Sequence, residues 1–108
     1  MICMQVRMKS KSPDRDTVID IFRASVEPVR VMRGCLSCEF YLEAADDNSL
    51  MLQIEWIDQD TLDLFLTTQE FRNMLVATDY LREEPEIQFF TISEISGIET
   101  VEAALNST

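Results

Sequence analysis

Few side chains in this chain can do chemistry, and one type is missing altogether. Among 108 residues there is no histidine. Histidine is the side chain whose ordinary pKa lies near neutrality, so the usual acid, base and metal ligand is absent. Three cysteines remain, and Cys35-x-x-Cys38 has the spacing of redox and zinc motifs. Redox examples of that motif open a helix, whereas this one opens a segment that reads as a strand. Residues three apart on a strand point to opposite faces, so the two thiols are expected to diverge. A zinc site wants about four ligands, and Cys3 is the one thiol left over. No metal ligands and no cofactor-binding residues are therefore identified. The other candidates are aromatic. Trp56 is expected on the helix-facing side of its strand, beside Phe65 and Phe71, where the three serve either as core packing or as a pocket wall. Tyr80, further along, can lend a hydroxyl to the mouth of such a pocket.

The elements that must position these residues are legible in the spacing of apolar side chains. Ile2, Met4, Val6 and Met8 alternate with polar or small residues, which is a strand with one apolar face. Ser12-Pro13-Asp14 reads as a helix start with a hydroxyl cap and Pro at the first position. Val18, Ile19, Phe22, Val26 and Val29 follow at helical spacing, and Pro28 is expected to kink that helix. Gly34 ends it. Residues 35–43 form a second strand with Leu36, Cys38, Phe40 and Leu42 on one face. The return strand, residues 50–56, carries Leu50, Leu52, Ile54 and Trp56. The two faces match if Leu42 pairs near Leu50, with Glu39 opposite Gln53. Asp58 caps a second helix that breaks near Thr67-Thr68, and Thr68 caps its continuation up to the stop at Pro85. Residues 86–93 are a fourth strand, apolar on both faces, and residues 98–105 a short helix or tail.

This order, β-α-β-β-α-β, predicts an α+β domain of ferredoxin-like type. Right-handed crossovers give an antiparallel sheet in the order 4-1-3-2 with both helices on one face. Residues 1–108 form a single domain, with a core over about 1–95 and a C-terminal segment, 96–108, outside it. Nine basic against twenty acidic residues leave a net charge of −11. Such a surface repels nucleic-acid phosphate and anionic lipid, so neither nucleic acid nor membrane is an expected partner. No stretch is apolar for ~18 residues, and the N-terminal residues lack a basic region followed by a long apolar run. The cytoplasm is the expected compartment.

Helices cover one face of such a sheet only. The opposite face is predicted to hold Cys3, Gln5, Arg7, Ser37, Glu39, Tyr41, Met51, Gln53 and Glu55, joined by a fourth strand that is apolar on either side. That mixture is more apolar than a solvated face, so a homodimer through the helix-free sheet face is expected.

Three linked segments add a resemblance. They are residues 33–39, where a helix ends at Gly34 and enters strand two; residues 53–58, with the Glu55-Trp56 pair; and residues 62–71, ending in Phe65-Leu66-Thr67-Thr68-Gln69-Glu70-Phe71. In order and spacing they resemble antibiotic biosynthesis monooxygenase (ABM) domains over roughly residues 1–95. The resemblance implies a dimeric α+β barrel with a small pocket between the sheet and the second helix in each subunit. It implies a cofactor-independent monooxygenase acting on a small quinol, phenol or polyketide-like aromatic, in which the deprotonated substrate supplies the electrons to O₂. Family members commonly carry histidines where this chain has Phe65 and Glu70. Haem chemistry through an imidazole ligand has no candidate here. Glu70 is then the candidate base, provided burial raises its pKa; otherwise it is a solvated acid in the first turn of a helix. The alternatives are a dimeric binding or sensing domain that has lost the chemistry, and an isomerase or lyase that needs a base but no oxygen.

Overall fold

The computed structural model describes residues 1–107. Thr108, the last residue of the expected C-terminal segment, lies outside the described residues. Strand β1 (Ile2–Lys9) leads into helix α1 (Arg15–Arg30), then the hairpin β2 (Cys35–Leu42) and β3 (Ser49–Trp56). Two short helices follow, α2 (Gln59–Phe65) and α3 (Gln69–Leu75), then a 3₁₀ turn at Val76–Tyr80, strand β4 (Glu86–Thr91) and helix α4 (Ile98–Asn106). The sheet is antiparallel and open, in the order β2-β3-β1-β4. It is the ferredoxin-like α+β arrangement that the alternation predicts.

The register sets the two faces. Leu42 faces Leu50 and Glu39 faces Gln53, as the matching of apolar faces requires. Met4, Val6 and Met8 of β1 and Leu50, Leu52, Ile54 and Trp56 of β3 are buried against Val18, Phe22, Val26 and Val29 of α1. Trp56 alone removes an area of roughly 150–250 Å² from water, worth about 4–6 kcal/mol. Its indole N–H is buried with no hydrogen-bond acceptor among the described residues, which costs about 1–3 kcal/mol. Burial of the ring outweighs that cost, so Trp56 stays inside.

Local chemistry explains the helix ends. The Asp58 carboxylate accepts from the Thr61 N–H at 2.9 Å, and the Thr68 hydroxyl accepts from the Phe71 N–H at 3.3 Å. The expected break between α2 and α3 therefore sits at a true second cap. At the start of α1 the expectation changes. Ser12-Pro13-Asp14 forms a 3₁₀ turn, α1 proper begins at Arg15, and no side chain caps either. The Ser12 hydroxyl instead accepts from Asn48 Nδ2, tying this turn to the β2–β3 loop. Helix α1 carries Pro28 in its last turn and ends two residues later.

A second correction concerns β2. Cys35 pairs with Trp56 and Ser37 with Glu55, so Leu36 is an extra residue in a β-bulge. Leu36 is exposed and does not join the core face with Cys38, Phe40 and Leu42. The bulge also places Cys35 on the same face as Cys38, where simple strand parity puts them on opposite faces. Gly34 leads into this bulge with φ of 85°, the left-handed region. A Cβ there would stand 2.4 Å from Thr61 Cγ2.

The C-terminal quarter packs differently. All six residues of β4 are exposed, and so are all of α4. Ile87, Phe89 and Thr91 pair with Val6, Met4 and Ile2, and share their helix-facing side; Glu86, Gln88 and Phe90 lie on the helix-free side. Among the described residues, no helix is long and apolar enough to cross a membrane.

Candidate functional site

The fold brings Trp56, Phe65 and Phe71 together as the sequence predicts. Trp56 and Phe65 rings are 4.9 Å apart and tilted by 32°, and Phe65 meets Phe71 edge-on at 5.4 Å. Trp56 and Phe65 are each 1% exposed, so they form solid core. Phe71 is half-buried and is the member of the trio that reaches an opening.

That opening is a cleft on the helix-facing side, between the β1–β4 edge of the sheet and the α3 region. Phe71, Met74 and Leu75 of α3 form one wall, Met4 and Val6 the floor, and Ile87 the far wall. Its lining is almost wholly apolar, with the Thr78 side chain as the single hydroxyl. The spacing 71, 74, 75, 78 is one helical stripe, and Thr68 as cap sets its start. The enclosed volume is about 30 Å³, close to the share of one water in the liquid. Cavities that hold a benzene ring run to roughly 150 Å³. A ring therefore enters only if Leu75, Thr78 and Ile87, all exposed, move aside. Met4, Met8 and Met74 border the same space, and their flexible thioethers allow such repacking.

The remaining candidates lie elsewhere. Glu70 is half-buried in the first turn of α3, and Tyr80 is half-buried at the end of the 3₁₀ turn; neither lines the cleft. The Glu70 carboxylate makes no hydrogen bond or ion pair with a described residue, so no second group orients it toward the cleft. Burial pushes the Cys38 thiol up to about 12, and burial also raises Cys35 and Cys3. Each holds its proton more tightly than a free cysteine, so none is an activated nucleophile near neutrality. Among the described residues, no three His, Cys, Asp or Glu side chains converge as a metal ion would require.

On the helix-free face a wider hollow of about 720 Å³ lies at the Lys9 end of the sheet. Arg7, Lys9, Tyr41, Met51, Glu43 and Glu86 line it. Across the middle of that face runs a row contributed by all four strands. Gln88 faces Gln5, Gln5 faces Gln53, and Gln53 faces Glu39. Gln5 Nε2 donates to Gln53 Oε1 at 3.4 Å, while Glu39 is paired with Arg30 at 2.9 Å. Sequence reasoning foresees the Glu39–Gln53 pairing but not the extension of the row to Gln5 and Gln88, which depends on the register of the other two strand pairs.

The comparison with known proteins decides the family. Residues 1–76 match the model of the antibiotic biosynthesis monooxygenase family. The chain belongs to that family. As an ABM domain it is also 28% identical, over 88 residues, to the uncharacterized protein sll1783 of Synechocystis. That match covers 81% of the chain and 60% of the relative, so the chain spans less than two thirds of the relative's length. Among solved structures, one described as an antibiotic biosynthesis monooxygenase superposes with a TM-score of 0.79 at 21% identity, over 87% of this chain and 100% of the other. Rv0793 from Mycobacterium tuberculosis gives 0.82 at 16% identity, over 89% and 98%. A conserved protein from Methanosarcina mazei Go1 gives 0.78 at 20% identity, over 82% and 89%. At these identities the structures establish the ABM fold.

Proposed function

We propose that this ABM domain binds a small, flat, largely apolar aromatic compound in the cleft between α3 and β4. The observation that carries the reading is the lining of that cleft: apolar side chains, three methionines and one hydroxyl, with no charged group. Such a site selects by shape and apolar contact, with the Thr78 hydroxyl, which donates to the Leu75 carbonyl at 2.7 Å, left to accept from a ligand. The test is calorimetric titration with a panel of naphthols, quinols and polycyclic phenols, comparing the wild type with Leu75→Glu. Micromolar binding that Leu75→Glu reduces at least tenfold supports the reading. Binding that ignores the substitution sinks it.

A second reading, cofactor-independent monooxygenation of a quinol, phenol or polyketide-like aromatic, is favoured by family membership. It asks the substrate to reach its anion, and Glu70 is the candidate base one residue from Phe71. Oxygen uptake on the same panel separates the two. Consumption of O₂ lost in Glu70→Gln supports catalysis; binding without uptake leaves a binding domain.

The same reading puts a second copy on the helix-free sheet face. The chain carries −11, so two copies repel wherever carboxylates meet. The row of Gln88, Gln5 and Gln53 offers amides, which both donate and accept and so pair with their own kind. Sheet on sheet at about 10 Å would then enclose this row.

A further inference from the structure

Two apolar surfaces in this chain are left open by the chain's own packing. One is the rim of the cleft, where Leu75, Ile87 and Phe89 are 43%, 41% and 50% exposed. The other is α4, where Ile98 and Val101 lie one turn apart and are 67% and 51% exposed. Helix α4 stands away from the body. The molecule measures 51 × 35 × 21 Å, with a radius of gyration of 16.1 Å, against about 13 Å for a compact chain of this length. We infer that α4 of a second copy lies over the cleft and forms its roof, so that each ligand site is built from two chains.

Charge selects both the occupant and its direction. The apolar stripe of α4 is flanked by Glu99 and Glu102. Glu99 accepts from the Gly97 N–H at 2.7 Å, and Glu102 is exposed. On one rim of the cleft Arg72 of α3 lies one turn from Leu75 and Val76, and it makes no ion pair with a described residue. The opposite rim begins at Pro85 and Ile87, which carry no charge. Glu102 therefore turns toward α3, and α4 enters with its apolar stripe down.

A second copy reaches this place readily. In a face-to-face pair whose two-fold axis lies across the strands, the partner's β4 ends beside the start of this chain's β4. That point is next to Pro85, which lines the cleft. The connection at residues 92–97 spans up to about 20 Å, enough to round the sheet edge. Folding back onto its own β4 would instead reverse the arm at Gly97 and present it from the Thr91 end.

The roof rests on the cleft assigned above as the ligand site, and a cross-linking test separates the two ideas because it needs no ligand. Full-length Thr78→Cys and Val101→Cys are mixed in equal amounts under mild oxidation, and the Thr78→Cys/Val101→Cys double variant is treated alone. Both positions are exposed. The expected result is a disulfide in the mixture that joins position 78 of one chain to position 101 of another, identified by mass spectrometry of the digest. The pair Leu75→Cys with Ile98→Cys repeats the test should either variant fold poorly. A disulfide within the double variant and none in the mixture means that α4 closes its own cleft and overturns the proposal. So does the absence of either product in both pairs. A cross-link without ligand binding by the wild type leaves the roof standing and removes the function assigned to the cleft; ligand binding without a cross-link does the reverse.

Discussion

At Gly34 one missing carbon decides how a helix joins a strand. Its φ of 85° costs any other residue about 1–2 kcal/mol, and a Cβ would also meet the Thr61 side chain at 2.4 Å. Gly34→Ala is expected to lower unfolding free energy by about 2 kcal/mol or more in urea titration, and Thr61→Gly on that background to recover part of it. Thiols give a second prediction. With Cys38 at about 12 in the folded chain and near 9 in the unfolded one, the folded state holds the proton longer. Its contribution is intact below pH 9 and is lost as pH rises toward 12. Urea unfolding at about pH 9 to 11 should therefore show stability falling with pH, with a shallower fall in Cys38→Ala. Thiol reagents at about pH 8 should reach half-buried Cys35 before buried Cys3 or Cys38.

Among the elements, the bulge at Leu36 separates what the sequence discloses from what it conceals. Alternation announces four strands, their order and the Leu42–Leu50 pairing, because side chains that share a face share a period of two. A bulge adds one residue without changing composition, so alternation alone assigns Leu36 to the core face and the two thiols to opposite faces. The caps at Asp58 and Thr68 are legible because their acceptors sit at the expected spacing, whereas Ser12 turns to Asn48 across 36 residues, which no local rule foresees. The site is half legible for a similar reason. Parity joins Trp56 to Phe65 and Phe71, but the opening depends on how far α3 stands from β4. Deletion supplies the test. Removing Leu36 leaves Cys35, Cys38 and Phe40 on their present face, so circular dichroism and urea titration should report a folded chain. Removing Phe40 shifts Tyr41 and Leu42 to the wrong faces and should cost several kcal/mol.

For the whole molecule, the distribution of charge matters more than its sum. The chain carries twenty acids, yet the middle row of its helix-free face is amide at three of four positions. Gln53→Glu would set a carboxylate between Gln5 and Glu39 and oppose its counterpart in a face-to-face pair. Sedimentation at low salt is expected to show the dimer weakened at least tenfold, with partial recovery at about 0.5 M salt as screening shortens to a few ångströms. A wild type that sediments as a monomer at micromolar concentration would remove the dimer from the reading.

Trp56, the single tryptophan, has one more consequence. An indole sealed from water and separated from the cleft by Phe65 and Phe71 should emit in the blue and resist quenching by acrylamide. Its colour therefore reports whether the core is intact, and it should change little when the neighbouring cleft fills. The molecule carries an optical gauge of its own folding that is nearly blind to its ligand.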